Sequence, residues 1–192
     1  LLFIFLATGT DATIALIGGA DITANFRPGT MAISIGMLLS ALAMTWHLVH
    51  FHYVKFNKES MYEVSKKIIL LCIPLLLSAQ FIAGILNEAL DLTDTNQELF
   101  ISMSHNIFGV LSIAIVVPIL EEVLFRGAIE GHLLRKGWSP KWAILVSALI
   151  FGIIHGNPAQ IPFAFLIGLL FGWLYYRTGS LVPGIVGHII NN

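Results

Sequence analysis

An all-α, polytopic membrane bundle of about seven to eight transmembrane helices, with a polar site inside the membrane, is the fold class this sequence predicts, on three observations. The first is composition. Of 192 residues 57% are hydrophobic and only 11% charged, and mean hydropathy is +0.86, where a soluble domain carries about 25% charged residues. The second is the length of the apolar runs. A helix needs about 20 apolar residues to cross a bilayer, and runs of that order fall near 1–18, 31–54, 67–87, 100–130, 141–156, 160–176 and 180–192. The third is where the charges sit. Lys55, Lys58, Lys66 and Lys67 occupy one connection, Arg135, Lys136 and Lys141 a second and Arg177 a third, whereas the 88–98 connection holds Glu88, Asp91, Asp94 and Glu98 without a Lys or Arg. Basic residues accumulate in cytoplasmic loops, and the three basic connections alternate. One multi-pass topology in a bacterial cytoplasmic membrane therefore satisfies all three, with 141–156 and 180–192 starting in the cytoplasm.

Individual spans differ in strength. Asp11 and the Gly18-Gly19 pair weaken the first, and 141–156 is short unless it tilts or enters the protein interior. The run from Leu1 to Leu6 starts without an initiator Met or a basic flank, so it reads as a truncated helix of a fragment or processed chain rather than a signal peptide. No fixed-period repeat or long linker appears, and the chain reads as one domain, with 1–99 accessory helices and 100–192 a motif-bearing core. Several classes drop out. A net charge of −1 offers no field for nucleic acid. Cys72 is the only cysteine, which excludes an intrachain disulfide or a Cys-based zinc finger. The partners this composition implies are the lipid bilayer and a membrane-associated peptide or protein.

Within the apolar runs three polar motifs stand out. In Pro118-Ile119-Leu120-Glu121-Glu122-Val123-Leu124-Phe125-Arg126 two adjacent carboxylates lie in a membrane segment, where each costs several kcal/mol unless paired or hydrated. Arg126 is four residues beyond Glu122 and shares its helix face, while Glu121 is turned about 100° away. That spacing pairs Glu122 with Arg126 and leaves Glu121 free for chemistry. A solvated charge cluster at a helix end is the bland alternative, and the apolar residues continuing through Ala128 and Ile129 weigh against it. The second motif, Phe151-Gly152-Ile153-Ile154-His155, ends a helix on a histidine before Gly156-Asn157-Pro158 breaks it. The third puts His188 and Asn192 four apart on one face after the small-residue stretch Pro183 to Gly187, which permits close helix approach. Taken singly, His155 is an interfacial or capping residue, and His188 with Asn192 an interhelical hydrogen-bonding pair. Counted from the predicted cytoplasmic ends, Glu121, His155 and His188 lie roughly 15, 21 and 12 Å deep at about 1.5 Å per residue, so ordinary tilts bring them to one level.

In order, Glu121-Glu122-x-x-x-Arg126, Phe151-x-x-x-His155 and His188-x-x-x-Asn192 resemble the three signature motifs of the CAAX-protease and bacteriocin-processing (CPBP) family, also called the Abi or type II CAAX endopeptidase family. The resemblance covers roughly 100–192. It implies a helical membrane endopeptidase in which Glu121 activates water, helped by His155, His188 and Asn192. The chemistry agrees with that set. Amide hydrolysis needs a base, which a carboxylate in an apolar cavity can be, and an oxyanion donor, which Asn192 or a protonated histidine supplies. Glu121, His155 and His188 are also the ligands a divalent metal such as zinc would take if one is bound, although no HExxH spacing signals it. The competing expectation is a non-enzymatic immunity or scaffold protein, or a small transporter. A transporter would show paired inverted halves, and the motifs here all follow residue 118. His47, His50 and His52 with Trp46 and Tyr53 read as an interfacial belt.

Overall fold

The computed structural model describes residues 29–54, 61 and 64–192; the first expected span, with Asp11 and Gly18-Gly19, and the loop residues Lys55 and Lys58 lie outside them. The described chain folds into seven helices: α1 Thr30–His50, α2 Lys66–Ala89, α3 Gln97–Ser104, α4 Ile107–Arg135, α5 Pro140–Ile154, α6 Ile161–Thr178 and α7 Val182–Asn191. By length and composition α1, α2, α4 and α6 can cross a membrane, while α5 and α7 are shorter apolar helices of 15 and 10 residues. Helices suit lipid because each satisfies its backbone groups within one segment.

The expected 100–130 span is divided. Asn106 is extended (φ −132°, ψ 146°), and its side chain accepts the Gly109 N–H at 2.7 Å, which caps a new helix start. Gly109 then lies against the carbonyl of Met103 so closely that no Cβ would fit. The helix after this break runs on to Arg135, so the basic connection contracts to the few residues before Pro140. Its course is also irregular, with π-helical stretches at Ser112–Val116 and Val123–Glu130 on either side of Glu121 and Glu122. Stretches of this kind re-aim side chains and leave carbonyls without their usual donors.

Burial against a neighbouring helix gains little hydrophobic energy in lipid, so close van der Waals packing has to hold the bundle. Small residues permit it. At Gly168 an added Cβ would stand 3.0 Å from that of Ala148, and at Gly152 3.3 Å from the Ile161 carbonyl, which lets α5 and α6 pack closely. Two buried clusters result. One joins Cys72 and Leu76 of α2, Phe125 of α4, Phe151 of α5 and Ile167 and Phe171 of α6; the other joins Leu48 of α1, Val123 of α4 and Leu181 and Ile185 near α7. α4 runs between them, and its two adjacent glutamates lie where the clusters meet. On the outside α2 presents Leu70, Leu71, Leu77 and Phe81, each more than 60% exposed, an apolar face suited to lipid.

Two ends of the bundle are distinguished by charge. Arg135 at the end of α4 donates to the carbonyl of Tyr53 beyond α1 at 3.3 Å. Asn87 near the end of α2 donates to Ala159, between α5 and α6, at 2.8 Å. The first end carries Arg135 and Lys136, and the second carries Asp91 and Asp94.

Candidate active site

The site starts from a backbone irregularity in α4. The N–H of Val117 reaches back five residues to the carbonyl of Ser112, and the next residue, Pro118, has no N–H to give. The Ile113 carbonyl thereby has no helical donor. Asn192, from the end of α7, supplies one at 2.9 Å. This bond fixes α7 against α4 two turns before the paired glutamates.

Two turns on, at Glu121 and Glu122, the carboxylates diverge. Glu121 turns to a cavity of about 590 Å³ and keeps 20% side-chain exposure. Glu122 is fully buried, with Oε2 3.3 Å from Nε of Arg126 and Oε1 3.1 Å from Nδ1 of His188. The Glu122–Arg126 pair expected from helical spacing is therefore present, and His188 is an additional partner that spacing within one helix does not reveal. Glycine makes the approach possible, since a Cβ at Gly184 would run into Oε2 of Glu122. Arg126 is 1% exposed. Its guanidinium lies 4.6 Å from the Phe151 ring centroid, and Nη2 donates to the Gly168 carbonyl at 3.4 Å. A buried arginine so stacked and paired is the form in which a membrane interior tolerates the charge.

His188 stands between the two glutamates, with Nε2 3.4 Å from Oε2 of Glu121. A carboxylate paired with arginine can only accept, so Nδ1–H of His188 donates to Glu122. His155, expected at the same level, does line the same cavity. Its Nδ1 is 2.7 Å from the Phe151 carbonyl, and since a carbonyl only accepts, Nδ1 carries the proton and Nε2 is left open. The Phe151 ring meets both imidazoles edge to face, at centroid distances of 4.9 Å to His155 and 5.8 Å to His188.

Glu121, His155, His188 and Asn192 thus line one cavity, whereas Glu122 and Arg126 lie behind it. Apolar residues, among them Phe100, Leu124, Ile154 and Phe163, form most of the remaining wall, together with the amides of Asn96, Gln160 and Asn191. Among the described residues no three His, Cys, Asp or Glu side chains are grouped so as to hold a metal ion. A catalytic zinc takes three protein ligands, and the Glu121, His155 and His188 set named from the sequence does not supply that arrangement. Two polar residues escaped the sequence reading. Glu130, four residues past Arg126 on α4, is fully buried against Gly172, whose Cβ would come 2.6 Å from Oε2; its i+4 spacing from Arg126 is the signal that was there to read. Asn157, also fully buried, sat beside the second motif and read only as part of a helix break.

Residues 103–192 match the family described as type II CAAX prenyl endopeptidase Rce1-like. Over that segment the chain is similar to this family. Three curated proteins resemble the chain. It is 38% identical over 79 residues to YdiL of Bacillus subtilis (strain 168), named as a candidate membrane peptidase, covering 41% of this chain and 32% of that protein. It is 33% identical over 104 residues to the membrane-embedded CAAX protease MroQ of Staphylococcus aureus (strain USA300), covering 52% and 42%. With YxdF of Lactococcus lactis subsp. lactis (strain IL1403) identity is 27% over 115 residues, covering 59% of each. The chain thus spans from about a third to three fifths of the length of these relatives. No solved structure matches it. The matched segment includes every motif residue named above, and the four apolar helices long enough to span a bilayer make this an integral membrane protein.

Proposed function

We propose that the chain is an intramembrane endopeptidase that hydrolyses a peptide bond of a membrane-associated peptide or protein with water activated by Glu121. The observation that carries this reading is the contact of Glu121 Oε2 with His188 Nε2 at 3.4 Å on the wall of the cavity, with the fully buried Glu122 behind. In the carboxylate form Glu121 takes a proton from water while the hydroxide attacks the amide carbon. The imidazolium Nε2–H of His188, aimed at the same point, donates to the oxygen on which charge develops. His155 offers an unprotonated Nε2 to orient the water. The proton taken by Glu121 passes to the amide nitrogen as the C–N bond breaks, which returns the carboxylate. Asn192 has one amide N–H committed to Ile113 and a second left for the oxyanion.

Glu122 and Arg126 act behind this group by setting the orientation and charge of His188. The basic end of the bundle faces the cytoplasm in this reading, and Asn96 and Gln160 are part of the cavity wall. The test is cleavage of a peptide panel by the purified protein in detergent or liposomes, comparing the native sequence with Glu121→Gln. Loss of about 10²–10⁴-fold with folding retained is expected. Cleavage by the variant at the native rate would overturn the assignment, and absence of cleavage by the native protein across the panel would favour a non-enzymatic role.

A further inference from the structure

We infer that Asp94 and Asn157 form a latch through which the segment before residue 103 positions His155, an inference that rests on the protease reading above. α5 ends at His155, and the chain must reverse within a few residues to begin α6 at Ile161. Gly156 takes the left-handed conformation (φ +62°), which only glycine adopts without strain. The backbone carbonyl of Asn157 accepts the N–H groups of Gln160 at 2.9 Å and Ile161 at 3.1 Å, starting α6 without any side-chain cap.

The Asn157 side chain is thus free of the turn, and it is spent on a distant segment. Its Nδ2 donates to Oδ1 of Asp94 at 2.7 Å, and its Oδ1 accepts the backbone N–H of Thr95 at 3.2 Å. Asp94 Oδ1 also accepts the N–H of Asn96 at 2.9 Å, so the acceptor is itself held in place. A second tie runs from Asn87 Nδ2 to the Ala159 carbonyl at 2.8 Å. An amide buried to 0% exposure with both ends satisfied is costly to disturb, because each freed group would remain buried.

The consequence falls on His155, two residues before Asn157. Beyond its own α5, where it bonds the Phe151 carbonyl and packs on the Phe151 ring, its place on the cavity wall depends on where this turn sits. A displacement of about 1 Å in a reacting geometry can cost about 10²-fold in rate. Asn87, Asp94 and Thr95 all precede residue 103, where the family match begins. This part of the chain therefore supports the proposed site from outside the segment that matches the family.

Asp94 is exposed, so its substitution leaves packing intact. In the purified full chain, Asp94→Ala is expected to lower kcat about 10-fold with KM changed less than about 2-fold, because orientation rather than binding is lost. Asp94→Asn keeps a carbonyl acceptor and is expected to restore most of that rate. Hydrogen exchange of backbone amides in 155–161 is expected to rise in Asp94→Ala and to return to the native level in Asp94→Asn. Unchanged exchange in Asp94→Ala overturns the latch whatever the activity. Raised exchange with native kcat overturns the positioning role alone. Equal loss of kcat in both variants assigns the effect to charge and overturns the latch as drawn. A native protein that cleaves nothing while exchange responds would instead refute the protease reading and the positioning of a reaction with it.

Discussion

Nδ1 of His188 lies 3.1 Å from Oε1 of Glu122, a carboxylate with no solvent exposure. This contact joins the first and third motifs across 66 residues and divides the adjacent glutamates into a buried member that holds charge and an open member that faces the cavity. Removing one partner of a buried ion pair costs about 3–5 kcal/mol. Glu122→Gln, which strands Arg126, is therefore expected to unfold at a clearly lower temperature than the native protein, while Glu121→Gln stays close to it. Thermal unfolding of both in detergent checks this, and equal destabilisation would mean that the two carboxylates are not so divided.

A helix contact made possible by glycine should fail when a methyl group is added. Gly184→Ala sets a Cβ against Oε2 of Glu122, and overpacking of this kind costs about 1–3 kcal/mol. Both stability and cleavage are expected to fall. Gly84→Ala on α2 has nothing within 4 Å of the new Cβ and should stay within about 0.5 kcal/mol of the native protein. If the two variants behave alike, α7 does not approach α4 as described.

The bond from Asn192 to Ile113 exists because Pro118 has no N–H. Asn192→Ala removes that donor and is expected to cost about 0.5–1.5 kcal/mol. Pro118→Ala restores a backbone N–H within reach of the same carbonyl, so the cost of Asn192→Ala should shrink in that background. A double-mutant cycle on unfolding free energy reads the coupling, and strictly additive values would separate the two residues.

Chelation tests the part played by metal. Two clustered donors, Glu121 and His188, fall short of the three protein ligands of a catalytic zinc. If Glu121 generates the nucleophile as proposed, cleavage is expected to survive dialysis against a strong chelator within about 2-fold, and stoichiometric zinc should not raise it. Loss of activity on chelation with recovery on zinc would put the metal back in the mechanism.

What the sequence by itself determined was whatever depends on residues close together in the chain. Apolar runs matched to bilayer thickness determined an all-α membrane protein, and i, i+4 spacing determined that Glu122 meets Arg126, because one turn of helix fixes that geometry wherever the helix sits. The spacing of His188 and Asn192 likewise put both on the face of α7 that lines the cavity. The tertiary structure decided the rest. The break at Asn106 inside an apolar run depends on a cap only three residues long and on close contact with Met103, which periodicity does not register. The π stretches in α4 were not legible because hydropathy follows helical faces and is blind to a register shift within one helix. That His188 bridges Glu121 to Glu122, that Asn192 serves Ile113 and that Asn157 is tied to Asp94 are contacts across 60 residues or more. They follow from how closely glycine-lined helices approach, and a buried polar group finds its partner only once that approach has been made.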